Sequence, residues 1–506
     1  MKIQLIKLIQ NELIKIFKKK SIYILFIIAL VSILFHNYAD LDQKQIELFS
    51  PINYKIESIE KRLNKMNIGS REYVQCKIEL DFAKLYNNYE EDSWQSLALE
   101  EETVKHSYSN VTTTFYHTIM QCLNTINNYE FNKTSNIKKN EYQIAKDYYE
   151  KYVQALDSND WKSFLNLKIQ ELKAKKELID SSSIENRIID LDIEIYQLRI
   201  DNNIEFKKDI LNDYLETYRE NSYSIEYYKD IKEDTSMQKQ NLERQEEIVN
   251  LCKYAIENHI VQDISPEDYN IMLNNKIDAR ISLIRVFKHF SVIIEIIAIY
   301  IACSTLIEEK SKGTIKSLLT KPHKRRSVLF SKIIGCIITT IIVIIGIILL
   351  QYIIGGLTFG FDSYQLDYIG YNTQTKEVFT INLLNYILLM AITKIPIYLI
   401  LILLGIFMSI INENIPITFI LSMVIYILLS YIIPNILEAM STITDVNWIS
   451  KFLIISNWDF SQYLFGSIPA IEGLSFNFSV IIYIFYFIVM LGISTFLFSK
   501  KDIYNI

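Results

Sequence analysis

The sequence predicts an all-α, polytopic membrane protein with six transmembrane helices and a large extracellular helical domain of bundle or coiled-coil type. Three observations predict it. Of the 12 glycines only Gly69 precedes residue 313, and of the 7 prolines only Pro51 and Pro266 precede Pro322. The first 300 residues therefore lack the punctuation that the tight turns of a many-stranded sheet require. Half of the 506 residues are hydrophobic and the mean hydropathy is +0.14, the value of a mixture of membrane spans and water-facing chain. Finally, six apolar runs approach or exceed the roughly 20 residues that a helix needs to cross about 30 Å of hydrocarbon.

Residues 1–19 read as an amphipathic helix, with Ile3, Leu5, Ile6, Ile9, Leu13, Ile14 and Phe17 among lysines. Apolar residues at such spacing with basic flanks lie on an inner leaflet. The first span, 20–38, follows Lys18, Lys19 and Lys20 and offers no small-x-small cleavage site after it. It reads as an uncleaved anchor rather than a signal peptide. The second span is 287–307. The third runs from Ile333 to about Ile354, the fourth from Asn382 to about Ile410, the fifth from Ile415 to about Ile433, and the sixth from about Phe478 to Phe498. Together the last four occupy 333–498, with an aromatic outer loop at 434–477 expected to form interfacial or re-entrant helices. The tail is 499–506.

Orientation follows from the basic residues of short connections. Residues 1–20 carry six Lys against Glu12, the link 308–332 carries eight basic residues against Glu308 and Glu309, and the tail carries Lys500 and Lys501. The loops after the third and fifth spans are acidic. Both termini and the link 308–332 are therefore expected in the cytoplasm, with 39–286 outside the cell membrane. From residue 36 to 290 the net charge is about −12, whereas the whole chain carries only −6. Apolar residues there recur at helical spacing: Ile56, Ile59, Leu63, Met66; Val74, Ile78, Phe82, Leu85; and Ile184, Ile188, Leu191, Ile195, Leu198. Ser265, Pro266, Glu267 and Asp268 form a helix-start signal. Seven to ten helices are expected.

The acidic balance argues against nucleic acid as a partner. Five cysteines without C-x-x-C spacing read as isolated residues, and an odd number cannot all pair within one chain. There is no G-x-x-x-x-G-K-[ST], no H-E-x-x-H and no G-x-S-x-G. Neither a catalytic set nor a metal site nor a cofactor site of the chain's own is predicted, and no enzyme activity.

The most ordered polar stretch is the link from Glu308 to Lys332. A helix leaving the membrane breaks near Gly313, restarts over Ile315, Leu318 and Leu319, and stops before Pro322, because the residue before proline is steered out of helix. A basic cluster follows. The order E-x-x-x-G-T-x-x-x-L-L-x-x-P-x-x-R, and the ending Phe498-Ser499-Lys500-Lys501-Asp502-Ile503, resemble the signatures of ABC-2-type transporter permeases, the membrane subunits of one class of ATP-driven exporters. The long insertion between the first two spans resembles that of a Gram-positive variant with a helical ectodomain, on Asp160-Trp161 and Arg199-Ile200-Asp201-Asn202-Asn203-Ile204.

The resemblance implies that Glu309, Gly313, Thr314, Leu318, Leu319, Pro322 and Arg325 belong to a segment gripped by a separate cytoplasmic ATPase subunit, which would bind the ATP. It implies a second permease copy or paralogue, an elbow helix at 1–19, and export of a peptide antibiotic, drug or lipid, with antibiotic resistance as one outcome. Two charges fall inside spans, Glu295 and Lys394. Each must face protein, water or a partner charge, either lining a transport path or snorkelling to an interface. The competing reading, an ectodomain receptor without transport, leaves five further spans and the ordered link unexplained.

Overall fold

A computed structural model describes residues 2–41, 56–101, 118–132, 136–177, 179–180, 183–229, 236–264, 278–312, 324–436, 447–467, 471 and 473–500. The helix start at 265–268, the residues Gly313, Thr314, Leu318, Leu319 and Pro322, and the tail 501–506 lie outside them. The chain divides into two compact units, one formed by residues 1–44 with 276–506 and the other by residues 45–275.

The second unit is helical throughout its described residues: α3 (Ile56–Leu63), α4 (Arg71–Tyr86), α5 (Trp94–Glu101), α6 (Thr118–Phe131), α7 (Lys139–Asp157), α8 (Trp161–Lys176), α9 (Ile184–Asp201), α10 (Ile210–Lys229) and α11 (Ser236–Glu257). From α6 onward each helix packs on the next in sequence, the pattern of successive hairpins. Starts are capped by side chains that accept from orphan N–H groups: Ser70 from Tyr73 at 3.1 Å, Asp160 from Ser163 at 3.0 Å, Ser183 from Asn186 at 3.1 Å. Three ends are reversed without glycine. Asn159, Asn203 and His259 take left-handed φ of 58°, 52° and 51° just past α7, α9 and α11, as Asn does when it replaces Gly after a helix. The core gathers Val74, Ile78, Phe82 and Leu85 of α4 with Trp94, Tyr152, Phe164, Leu165 and Phe206. On α9 the buried line is instead Asn186, Ile189, Asp192, Ile195 and Arg199. Polar residues thus share the inner face of that helix, and its apolar stripe flanks them.

The first unit begins with α1 (Lys2–Phe17) and α2 (Lys20–Leu41), and resumes with α12 (Ala279–Ile284) and α13 (Val286–Ser311). There follow α14 (Arg325–Phe359), the strands β1 (Tyr368–Asn372) and β2 (Glu377–Ile381), α15 (Leu383–Ile411), α16 (Ile415–Ile427), α17 (Asn447–Ser450) and α18 (Phe476–Lys500). Six helical segments are long and apolar enough to cross a membrane: 20–40, 279–311, 325–359, 383–411, 415–436 and 476–500. They are taken below as spans one to six. Asp278 caps the second (Ile281 N–H, 2.8 Å) and Asn382 the fourth (Leu384 N–H, 3.1 Å), while Gly360 at φ 92° ends the third. The fifth widens into a π-turn at Leu428–Ile432. The interior is filled by Ile22, Ala29, Ile33, Phe290, Ile297, Val343, Ile347, Leu403 and Ile406 from spans one to four. Spans two and four approach so closely that a Cβ on Gly405 would stand 2.6 Å from the Ala302 Cβ and 3.1 Å from the Ile299 carbonyl oxygen.

An antiparallel hairpin, with Tyr368 opposite Ile381 and Asn372 opposite Glu377, interrupts the otherwise helical fold between spans three and four. Its turn is held by Asn372, whose Oδ1 accepts from the N–H groups of Gln374 (3.0 Å) and Thr375 (3.1 Å), with Lys376 left-handed at φ 58°. The hairpin rests on the described part of the loop between spans five and six, a series of short helical turns at 447–450, 454–456 and 460–466. Thr373 Oγ1 donates to the Gly466 carbonyl, and the rings of Tyr368, Phe379, Tyr386 and Phe465 stack, with Tyr368 and Tyr386 3.8 Å apart. Phe465 reaches the stack through a left-handed backbone at φ 55°.

Candidate functional site

The first helix turns Leu8, Glu12 and Ile16 inward, one above another at i, i+4 spacing. Ile6 and Ile14, on the opposite faces, are exposed. Glu12 therefore sits where an apolar residue would be expected, and it sits there because α1 lies against α14. A Cβ on Gly335 would meet the Glu12 Cβ at 3.1 Å, so the missing side chain at 335 makes the seat.

Around Glu12 is a closed ring of four charges. Lys332, the most enclosed at 0% exposure, donates to Glu12 Oε2 at 3.0 Å and pairs with Glu309 Oε2 at 2.5 Å. Lys15 donates to Glu12 Oε1 at 3.2 Å and to Glu309 Oε1. Glu12 and Glu309 are 2% and 5% exposed. Two acids and two lysines alternate, so the ring is neutral, and each carboxylate has an ammonium on each oxygen. That is the arrangement in which buried charges compensate one another.

Glu309 is flanked by two more engaged residues. Glu308 pairs with Lys19 at 3.2 Å, and Lys19 also donates to Ser304 Oγ at 2.8 Å. Lys310 donates to the carbonyls of Ser409 (2.7 Å), Ile410 (3.1 Å) and Asn412 (3.4 Å), closing the C-terminal end of the fourth span, where unsatisfied carbonyls and the helix dipole favour a cation. Three consecutive residues at the base of span two thus hold α1 with span three, the junction of α1 with span one, and span four. Beyond the link, Arg325 donates to the Ser499 carbonyl at 2.8 Å, tying the start of span three to the last turn of span six.

Of the residues singled out in the link, the structure places Glu309 in the ring and Arg325 outside it, on the Ser499 carbonyl. Sequence reasoning did not find Glu12, Lys15 or Lys332 as partners. The available signal was Glu12 itself, the lone acid among six lysines in the first 20 residues, in register with Leu8 and Ile16.

Glu295 and Lys394 face protein. Tyr426 Oη of the fifth span donates to Glu295 Oε2, and Lys394 pairs with Asp459 of the loop between spans five and six at 2.5 Å. Near the ends of spans one to three away from the ring, Asn37, Ser282 and Gln351 form a buried triad: Ser282 donates to Asn37 Oδ1 at 2.8 Å, and Asn37 and Gln351 exchange bonds at 3.2 Å. It fastens spans one, two and three to one another through amide and hydroxyl groups.

Residues 268–504 match a family model described as a protein of unknown function, DUF2705. The chain is 22% identical over 282 residues to the uncharacterized protein YhcI of Bacillus subtilis, covering 56% of this chain and 82% of that one. It is 25% identical over 213 residues to the uncharacterized membrane protein YdbK of the same organism, covering 42% and 79%. No solved structure matches. The family match embraces spans two to six together with Glu309, Lys332 and Arg325, and the chain that carries it is an all-α polytopic membrane protein, one of whose Bacillus subtilis relatives is described as a membrane protein.

Proposed function

We propose that this chain is the permease subunit of an ABC-2-type exporter, driven by a separate ATPase subunit docked on the segment between Lys312 and Lys324. The observation that carries the reading is the base of span two. Glu308, Glu309 and Lys310 grip three neighbouring elements where the segment begins, and Arg325 grips the sixth span where it ends. A force on that segment is then delivered to five spans together through short polar links, rather than absorbed by one helix. The lysine-rich α1 and the described residues on either side of 313–323 lie at one end of the spans, which we take as the cytoplasmic end because basic connections stay inside.

In this mechanism the partner closes on ATP and displaces the segment. The neutral charge ring keeps α1 and span three moving with span two, and the spans tilt to release cargo outward. A second permease copy or a paralogue completes the pathway, and no ATP chemistry is assigned to this chain.

The test is affinity purification of the full chain from its native membrane. The expected outcome is a soluble ATPase recovered with it, lost on Gly313→Pro while the chain remains folded. Recovery of the chain alone, with full transport and no nucleotide requirement, overturns the proposal.

A further inference from the structure

Midway along spans two and four lies a second charged cluster, unrelated to the ring at the base. Glu295 is 7% exposed and receives the Tyr426 hydroxyl, which is itself 3.5 Å from the hydroxyl of Tyr431. Lys394 and Asp459 are both within electrostatic reach of Glu295. Asp459 is doubly used: Oδ2 takes Lys394 at 2.5 Å, while Oδ1 accepts from Ser461 N–H at 3.0 Å and Ser461 Oγ at 2.6 Å.

Two features of the cluster point to a ligand. Among the described residues it holds two carboxyl groups and one ammonium, an imbalance that is expensive at a buried site unless another cation or a proton shares it. Its wall also contains Tyr398, 2% exposed, whose hydroxyl has no hydrogen-bond partner although it senses the charges of both Glu295 and Asp459. A buried hydroxyl without a partner is costly, and a ligand that met it would relieve that cost. The rings of Tyr426, Trp458 and Tyr483 belong to one buried cluster, and Tyr398 to the main core of the spans; aromatic faces attract cations.

We propose that Glu295, Asp459 and Tyr398 form a binding site for the charged head of a lipophilic cation, and that Lys394 is its tethered occupant, displaced when the ligand enters. The inference rests on the exporter reading in that such a cation is then the cargo. The site itself is defined by equilibrium binding. Glu295 supplies the carboxylate left over once Lys394 has paired with Asp459, and the tyrosine and tryptophan rings receive the apolar body of the ligand.

Trp458, buried beside Asp459, is a built-in reporter. The full chain in lipid nanodiscs is titrated with tetraphenylphosphonium, and with tetraphenylborate as the anion of the same shape, while tryptophan emission is recorded and assigned by Trp458→Phe. The expected result is saturable quenching by the cation alone. Glu295→Gln weakens it at least tenfold and Lys394→Met tightens it severalfold, an opposite change that misfolding does not produce. Equal affinity within twofold in both variants, or saturable binding of the anion, overturns the site. If the cation binds but no ATPase accompanies the chain, the site stands and the exporter reading falls. If an ATPase accompanies it and no cation binds, the site falls alone.

Discussion

The charge ring makes its four members unequal. Lys332 is enclosed on all sides, whereas the Lys15 side chain is 46% exposed. Removing Lys332 leaves Glu12 and Glu309 facing each other with only Lys15 between them. Lys332→Met should therefore destabilise by roughly 3–5 kcal/mol, the range for breaking a buried pair from one side, and Lys15→Met by less than about 1 kcal/mol, as for exposed pairs. Adding Glu309→Gln to Lys332→Met should recover part of the loss, because one uncompensated acid is gone. Denaturant unfolding in detergent measures all three. A second residue-scale outcome concerns Asp192 in the helical unit. Burial pushes its carboxyl from 3.8 up to about 6, against the pull of Arg219 and the hydroxyl of Tyr223. The folded state thus holds this proton more tightly than the unfolded one, so the contribution to stability is full below pH 4 and lost as pH rises through 6. Asp192→Asn should abolish that loss, gaining roughly 3 kcal/mol at most above pH 7 and flattening thermal stability between pH 4 and 7. Glu101 behaves oppositely. Despite burial, Arg219, Arg199 and Lys168 hold it down to about 2, so its contribution persists across that window. Neither Glu12 nor Asp192 was legible as a buried charge, since an acid in a helical pattern reads as solvated until its partners, here over 300 residues away for Glu12 and Lys332, are brought to it.

Elements were easier to read than partners. The six apolar runs and the stripe of α4 announce themselves by length and period, and the structure has six helical segments of spanning length and an all-α fold. The hairpin escaped because Tyr-Ile-Gly-Tyr-Asn and Glu-Val-Phe-Thr-Ile are five-residue strands around a Thr-Gln-Thr-Lys turn, without the Asn-Gly or Asp-Gly that marks two-residue turns. Its support comes from Phe465, almost a hundred residues on. On α9 the expected stripe is displaced, because Asp192 and Arg199 occupy the inner face with their charges and so carry no apolar periodicity. Packing of spans two and four gives a prediction at this scale. Gly405→Ala should lose about 1–3 kcal/mol, since Ala302 and the backbone at Ile299 leave no room and overpacking strains the neighbours. Gly492→Ala, where nothing lies within 4 Å, should be neutral. Thermal unfolding of the two variants side by side checks the contrast.

At the scale of the whole molecule, the chain is unevenly composed: residues 45–275 hold one glycine, Gly69, of the 12, and the apolar runs lie outside them. Orientation is testable with thiol labelling. All five native cysteines are buried, so background is low. An impermeant maleimide applied to intact cells should label Ile68→Cys, exposed on the helical unit, and should label Lys312→Cys, exposed at the base of span two, only after permeabilisation. The reverse pattern would turn the molecule over and exclude the proposed ATPase dock. The base of span two carries a further consequence for how such a chain can diverge. Successive helical residues point about 100° apart, which is why Glu308, Glu309 and Lys310 reach three different neighbours. A substitution at one position severs one tie and spares two. The gain or loss of a single residue within that helix rotates all three away at once, so homologues should vary here by replacement and keep the length of the helix between Glu295 and Lys310 unchanged.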